Sequence, residues 1–155
     1  MSLKHTISLI LLFMMIGCAK TSKSETIAIY KDLEGNAVAL SNFKGKKVLL
    51  NFWATWCLPC LEEMPSMAKA QQLLASENYV FLFATTDKID KINKFKEKHP
   101  YPFQYLQYQG SLDKLNIHAL PVTFIYNTEG ELVRRIDGVK EWGAKEMLNQ
   151  LKAVQ

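Results

Sequence analysis

Apolar and polar positions along the chain fall into blocks of two different periods, and the blocks predict the elements. Val48 to Trp53 is apolar except at Asn51, which reads as a short strand buried on both faces. Tyr79-Val80-Phe81-Leu82-Phe83-Ala84 is a second such strand, and Thr85-Thr86-Asp87 leaves its C-terminal end. Between them, Cys57 to about Ser76 places Leu61, Met64, Ala68 and Leu74 near one helical face. Met64 and Met67 are assigned to core packing, and Pro65 inside that helix bends it. Residues 88–98 form a second helix, ended by His99-Pro100. Phe103 to Tyr108 alternates and is tyrosine-rich, a strand whose aromatics either pack inward or meet a partner. Ser111 caps a short helix through Asn116. Val122 to Tyr126 and Glu131 to Asp137 flank Asn127-Thr128-Glu129-Gly130 as an antiparallel pair, and Ala144, Met147, Leu148, Leu151 and Val154 repeat along a final helix. Ahead of all these, Ile27 to Tyr30 and Ala37 to Leu40 make a hairpin turning at Gly35-Asn36.

The N-terminus follows another rule. Lys4 and His5 precede an apolar run from Ile7 to Ile16, too short for about 30 Å of hydrocarbon but suited to the apolar region of a signal peptide. The run closes in Met15-Ile16-Gly17-Cys18, which resembles the bacterial lipobox, whose cysteine is lipidated and becomes the mature N-terminus; Met15 departs from its usual leucine. The expected organisation is a signal peptide at residues 1–17, a polar tether at 18–26 and one domain at 27–155, lipid-anchored on the periplasmic side of the envelope.

With 155 residues and a formal charge of +4, the chain suits one domain with a normal core. The densest basic stretch, Lys88 to Lys98, is interrupted by Asp90 and Glu97, so it reads as a solvated helix face rather than a nucleic-acid surface.

Lipidation of Cys18 leaves Cys57 and Cys60 as the remaining thiols of three cysteines. They stand where a strand, a small polar break and a helix meet. A cysteine at the opening turn of a helix faces unpaired N–H groups and the positive end of the dipole, which favours its thiolate, the form that attacks disulfides. Cys57 gains most. Cys60, one turn further in, is the shielded resolving thiol, and Pro59 stiffens the ring between them. A zinc site would need His118 and a further ligand from afar, since no second cysteine pair exists, so redox work is expected, with no cofactor and no metal. Exported thiols tend to be oxidised, so such a dithiol is either an oxidant or is supplied with electrons across the membrane.

The block Asn51-Phe52-Trp53-Ala54-Thr55-Trp56-Cys57-Leu58-Pro59-Cys60, preceded by Phe43 to Leu50 and followed by Glu63-Met64-Pro65, resembles the TlpA/ResA-like branch of thioredoxin-fold thiol-disulfide oxidoreductases. The likeness runs from about Ile27 to the C-terminus and includes Ala119-Leu120-Pro121-Val122-Thr123-Phe124-Ile125, which looks like the family's cis-proline segment. It implies an α/β thioredoxin fold, with a central mixed sheet, helices on both faces and an N-terminal hairpin extension. It implies nucleophilic attack by Cys57 and resolution by Cys60, with Pro59 tuning the pair. Trp56 would offer an apolar face to a partner's disulfide, and Leu120 and Pro121 would pair with the substrate chain as an added strand. Asn51 stands where many cytosolic thioredoxins carry a buried aspartate, so that acid is expected to be missing. Asp87 matches a place where the branch carries an acidic residue near the cysteines, which implies redox tuning; the plainer alternative is an N-cap for residues 88–98.

The resemblance favours a monomeric reductase of protein disulfides, fed by a membrane thiol transporter, with apocytochrome c as one target. Its rivals are an oxidant or isomerase, a copper carrier using His118, and a peroxidase. Thr55 stands two residues ahead of Cys57, as in peroxiredoxins, but their proline is absent.

Overall fold

A computed structural model of the chain describes residues 29–155, so the expected signal peptide, the Cys18 lipidation site and the whole tether lie outside the described residues. Among the described residues, seven strands form one mixed sheet in the order β2-β1-β5-β4-β3-β6-β7. β1 (Tyr30–Lys31) and β2 (Ala37–Val38) are the hairpin, shorter than the sequence implies because Leu40–Phe43 turns into a 3-10 segment. Asp32 builds the turn by accepting from the N–H groups of Glu34 and Asn36. Gly35 sits there at φ +88, where a Cβ is strained.

β3 (Lys47–Phe52) is central, parallel to β4 (Tyr79–Thr85) and antiparallel to β6 (Val122–Tyr126), with Phe52 opposite both Ala84 and Val122. β4 also pairs in parallel with β5 (Gln104–Tyr108), and β7 (Leu132–Asp137) is an edge strand beside β6. The parallel pairs need crossovers, supplied by α1 (Leu58–Leu73) and α2 (Ile89–Lys98); α3 (Lys145–Lys152) ends the fold.

Both faces of the sheet are covered, though unequally. All three α-helices pack on one face: Cys60, Met64, Met67 and Ala70 from α1, Ile92 and Phe95 from α2 and Leu151 from α3 share a cluster with Leu49, Phe81, Phe83 and Ile125. The opposite face, around Leu50, Phe52, Leu82 and Phe124, is closed by the 3-10 segments Leu40–Phe43 and Leu112–Leu115. The second of these is capped by the Ser111 hydroxyl, as expected. Met64 and Met67 are fully buried, each contributing about 1.5–3 kcal/mol by leaving water. Tyr105 and Tyr108 face inward, in contact with Trp53 and Phe52 respectively, so these tyrosines of β5 form core rather than a partner surface. Among the described residues, no helix is long and apolar enough to cross a membrane.

Candidate active site

β3 ends at Phe52, and the chain reaches α1 through one tight turn in which the Cys57 N–H donates to the Ala54 carbonyl at 3.1 Å. Cys57 is the N-cap residue of α1, and its sulfur accepts from the backbone N–H of Cys60 at 3.3 Å. That is the sequence argument in atomic form: a free N–H of the first helical turn already points at the sulfur. Pro59 falls in the first turn, where it lacks only an N–H that would have had no partner. Cys57 and Cys60 are joined as a disulfide, with Sγ atoms 2.03 Å and Cα atoms 5.3 Å apart.

The pair is less open than a reachable nucleophile leads one to expect. Cys57 is 5% exposed and Cys60 1%, which keeps the expected order of access but leaves little sulfur at the surface. The cause is local: Cys57 folds its sulfur under the first turn while its neighbours project outward, Trp56 at 72% exposure and Leu58 at 64%. Trp53 is wholly core, against Phe95 and Tyr105.

Leu120-Pro121 lies just before β6, and the bond between them is cis. Because Phe52 pairs with Val122, the antiparallel register brings Pro121 level with the chain leaving β3 for the cysteines. Its carbonyl accepts from Gly138 N–H at 2.9 Å, while Leu120 forms no backbone hydrogen bond among the described residues. Leu120 packs against the cluster that includes both cysteines, and an unpaired N–H and C=O there are what an extended segment needs in order to pair.

The strand carries no aspartate at position 51, as expected, yet a buried acid lies beside Asn51. Asn51 is buried on β3, and its amide donates to Oε1 of Glu63 at 2.9 Å and to the Thr123 hydroxyl at 3.0 Å. The acid comes from the helix instead of the strand. Glu63, 2% exposed, lies three residues after Cys60 on the same helical face, about 5–6 Å between Cβ atoms. Its Oε2 accepts from the Lys140 N–H at 3.1 Å and the Trp142 indole N–H at 2.9 Å. Burial raises its pKa above the ordinary value, against the lowering effect of the bonds from Trp142, Lys140 and Asn51. A sequence signal was present: Cys60, Met64, Met67 and Ala70 mark the buried stripe of α1, and Glu63 lies inside it.

Asp87 does not fill the capping role, the plainer of the two expected of it. Lys88 occupies the N-cap position of α2 and no side chain caps that helix. The Asp87 carboxylate turns the other way: Oδ2 accepts from the Thr55 N–H at 2.8 Å and the Thr55 hydroxyl at 2.9 Å, and Oδ1 meets Lys91 at 3.4 Å. Burial pulls its pKa up, but the Thr55 donors and Lys91 outweigh that and hold it below the ordinary value. His118 is largely exposed beside Asp113, and the described residues contain no cluster of three or more His, Cys, Asp or Glu that could hold a metal.

A dithiol at the N-terminus of a helix, set at the end of a mixed sheet and flanked by a proline loop, defines a thioredoxin-fold redox-cysteine protein. Solved structures bear the fold out. The thioredoxin domain of a thiol-disulfide oxidoreductase from Bacteroides vulgatus superposes with a TM-score of 0.67 at 24% identity, over 82% of this chain and 94% of that one. The pneumococcal exposed lipoprotein thioredoxin from Streptococcus pneumoniae gives 0.63 at 24% identity, over 78% and 96%. The chain belongs to the AhpC/TSA family, which matches residues 23–135. It is 38% identical over 104 residues to the thioredoxin-like protein YneN of Bacillus subtilis, covering 64% of this chain and 61% of that protein. It is 30% identical over 113 residues to the thiol-disulfide oxidoreductase ResA of Bacillus thuringiensis subsp. konkukian, covering 71% and 65%. The matched stretch thus spans less than two thirds of these relatives' length.

Proposed function

We propose that the chain is an exported, membrane-tethered thiol-disulfide oxidoreductase that reduces disulfides in partner proteins. The observation that carries this reading is the Cys57 sulfur at the helix N-cap, already accepting the Cys60 N–H. The Cys57 thiolate attacks one sulfur of the partner's disulfide; that S–S bond breaks, its other sulfur leaves as a thiolate, and a mixed disulfide forms. Cys60 then loses its proton and attacks the Cys57 sulfur, the partner's second thiolate departs, and the Cys57–Cys60 disulfide results. Two electrons pass to the partner, to be restored by a membrane thiol transporter.

Glu63 is the group that takes the Cys60 proton. Three donors converge on it, yet Oε1 accepts only one and keeps a lone pair free, and burial raises its pKa above the ordinary value, which favours taking up a proton. Trp56 presents apolar surface to the partner, and Leu120 and Pro121 receive its extended chain. Names among the relatives support oxidoreductase chemistry, and cytochrome c maturation is the setting we favour. The lipobox-like Met15-Ile16-Gly17-Cys18 supports anchoring through Cys18, and Cys18→Ser should move the protein out of the membrane fraction.

A redox titration of the dithiol against glutathione, read with a thiol-specific label, tests the direction. A midpoint near about −270 mV supports the reductase, and one near about −120 mV overturns it in favour of an oxidant. Cys60→Ser should trap partners as mixed disulfides on Cys57; equal trapping by Cys57→Ser would reverse the two roles.

A further inference from the structure

Asp87 and Thr55 are 32 residues apart, yet they make the shortest tertiary link to the turn that carries the reactive cysteine. The turn runs from Ala54 to Cys57, closed by the Cys57 N–H on the Ala54 carbonyl. Its two central residues are Thr55 and Trp56. No side chain on the turn itself holds it, so its outer half depends on what grips Thr55. One carboxylate oxygen, Oδ2 of Asp87, takes both Thr55 donors, backbone and hydroxyl, at 2.8 and 2.9 Å.

Asp87 is itself held from three sides. Its N–H donates to the Thr85 hydroxyl at 3.1 Å, its carbonyl accepts from the Gln107 side chain at 3.2 Å, and its second carboxylate oxygen meets Lys91. Thr85 and Gln107 belong to β4 and β5, which pair with each other at this point. The grip on the cysteine turn is therefore referred to the rigid sheet rather than to a loop. Charge-assisted hydrogen bonds of this length are about twice as strong as neutral ones.

We propose that Asp87 is a positioning residue, clamping the Ala54–Cys57 turn through Thr55 so that the Cys57 sulfur and the Trp56 indole stand in fixed relation to an incoming disulfide. This rests on Cys57 as the attacking thiol. The requirement is for an acceptor with two open lone-pair directions at this point, which a carboxamide oxygen also meets. The role differs from proton transfer, since both donors on Oδ2 come from Thr55, and it differs from helix capping, since α2 receives nothing from this side chain.

The test uses the full-length chain with Cys18→Ser and Cys60→Ser, so that Cys57 is its single thiol, and measures its alkylation by iodoacetamide across pH together with hydrogen exchange at the Thr55 amide. Asp87→Ala should exchange the Thr55 amide about tenfold faster and slow alkylation of the Cys57 thiolate about tenfold, the effect of a misplaced reacting atom. Asp87→Asn, which keeps the acceptor oxygen, should stay within about twofold of its parent. Thr55→Ala should lose less than Asp87→Ala, and the two changes together should be no worse than Asp87→Ala alone, because they remove one link. Circular dichroism on each variant checks folding, and Asp87→Asn keeps the inference testable should Asp87→Ala unfold. Unchanged alkylation and amide exchange in Asp87→Ala, or equal losses in Asp87→Asn and Asp87→Ala, overturns the clamp. Alkylation needs no partner protein, so failure of the clamp is distinguishable from failure of disulfide exchange in the unmutated protein.

Discussion

The indole N–H of Trp142 donates to Oε2 of Glu63 at 2.9 Å across 79 residues of sequence, and both side chains are buried. The bond joins the segment entering α3 to the helix that opens with the cysteines, and Ser66 adds a second stitch by accepting from the Trp142 N–H at 3.1 Å. With Asn51 and the Lys140 N–H, three donors from two parts of the chain converge on one carboxylate. The segment entering α3 is therefore held to α1 through Glu63 and Ser66.

Removing that carboxylate should be expensive. Glu63→Ala strands the Asn51 amide, the Lys140 N–H and the Trp142 indole in the core and leaves a cavity, for a loss of about 2–4 kcal/mol in denaturant unfolding. Glu63→Gln presents one acceptor and one donor to three donors, so it should cost about 1–2 kcal/mol, and resolution by Cys60 should slow in the variant that folds better.

The raised pKa of Glu63 gives stability a pH dependence of definite sign. The folded state holds its proton more tightly than the unfolded chain, so stability from this group is full below its ordinary value of 4.5 and falls as pH rises through the raised folded value. Asp87 works in the opposite sense and lower down: its contribution is present above the ordinary 3.8 and is lost as pH falls through its lowered folded value. Unfolding free energies measured from pH 3 upward should show the falling limb in the unmutated protein and lack it in Glu63→Gln.

Trp142 reports the ionisation of Glu63. Its indole N–H proton resonance should titrate with the raised pKa of the carboxylate, and the titration should vanish in Glu63→Gln. Trp142→Phe keeps an aromatic ring in the core but removes one donor that favours the charged form, so Glu63 should titrate higher still, at a stability cost of about 1 kcal/mol.

Trp56 should separate binding from folding. At 72% exposure its replacement by Ala should change stability by less than about 0.5 kcal/mol. Its loss should raise KM for a protein disulfide while leaving the rate with a small soluble disulfide near normal, because a small disulfide does not cover the indole face. An equal loss with both substrates would place Trp56 in the chemistry instead.

Replacing a core methionine tests the packing. Met64→Ala, at a position with no exposure, should cost about 2–5 kcal/mol in thermal or denaturant unfolding.

Local pattern determined a great deal here. The apolar runs became β3 and β4, the Asn127 to Gly130 turn joined two antiparallel strands, and the Cys57 sulfur took the helix N-cap that strand, turn and helix propensities assign to it. Each of these depends on residues close together in the chain, whose periods encode which side faces inward. Tertiary structure decided the partners. The position of Glu63 in the apolar stripe of α1 hints at burial, but its donors, 12, 77 and 79 residues away, meet it only in the assembled core. Asp87 satisfies the local rule for a helix cap, but two donors from Thr55 form a better site than the start of α2 and turn the carboxylate toward the cysteines. A polar group about to be buried is satisfied by whichever donors the assembled fold brings within 3 Å or so, and no periodicity along a single chain records them.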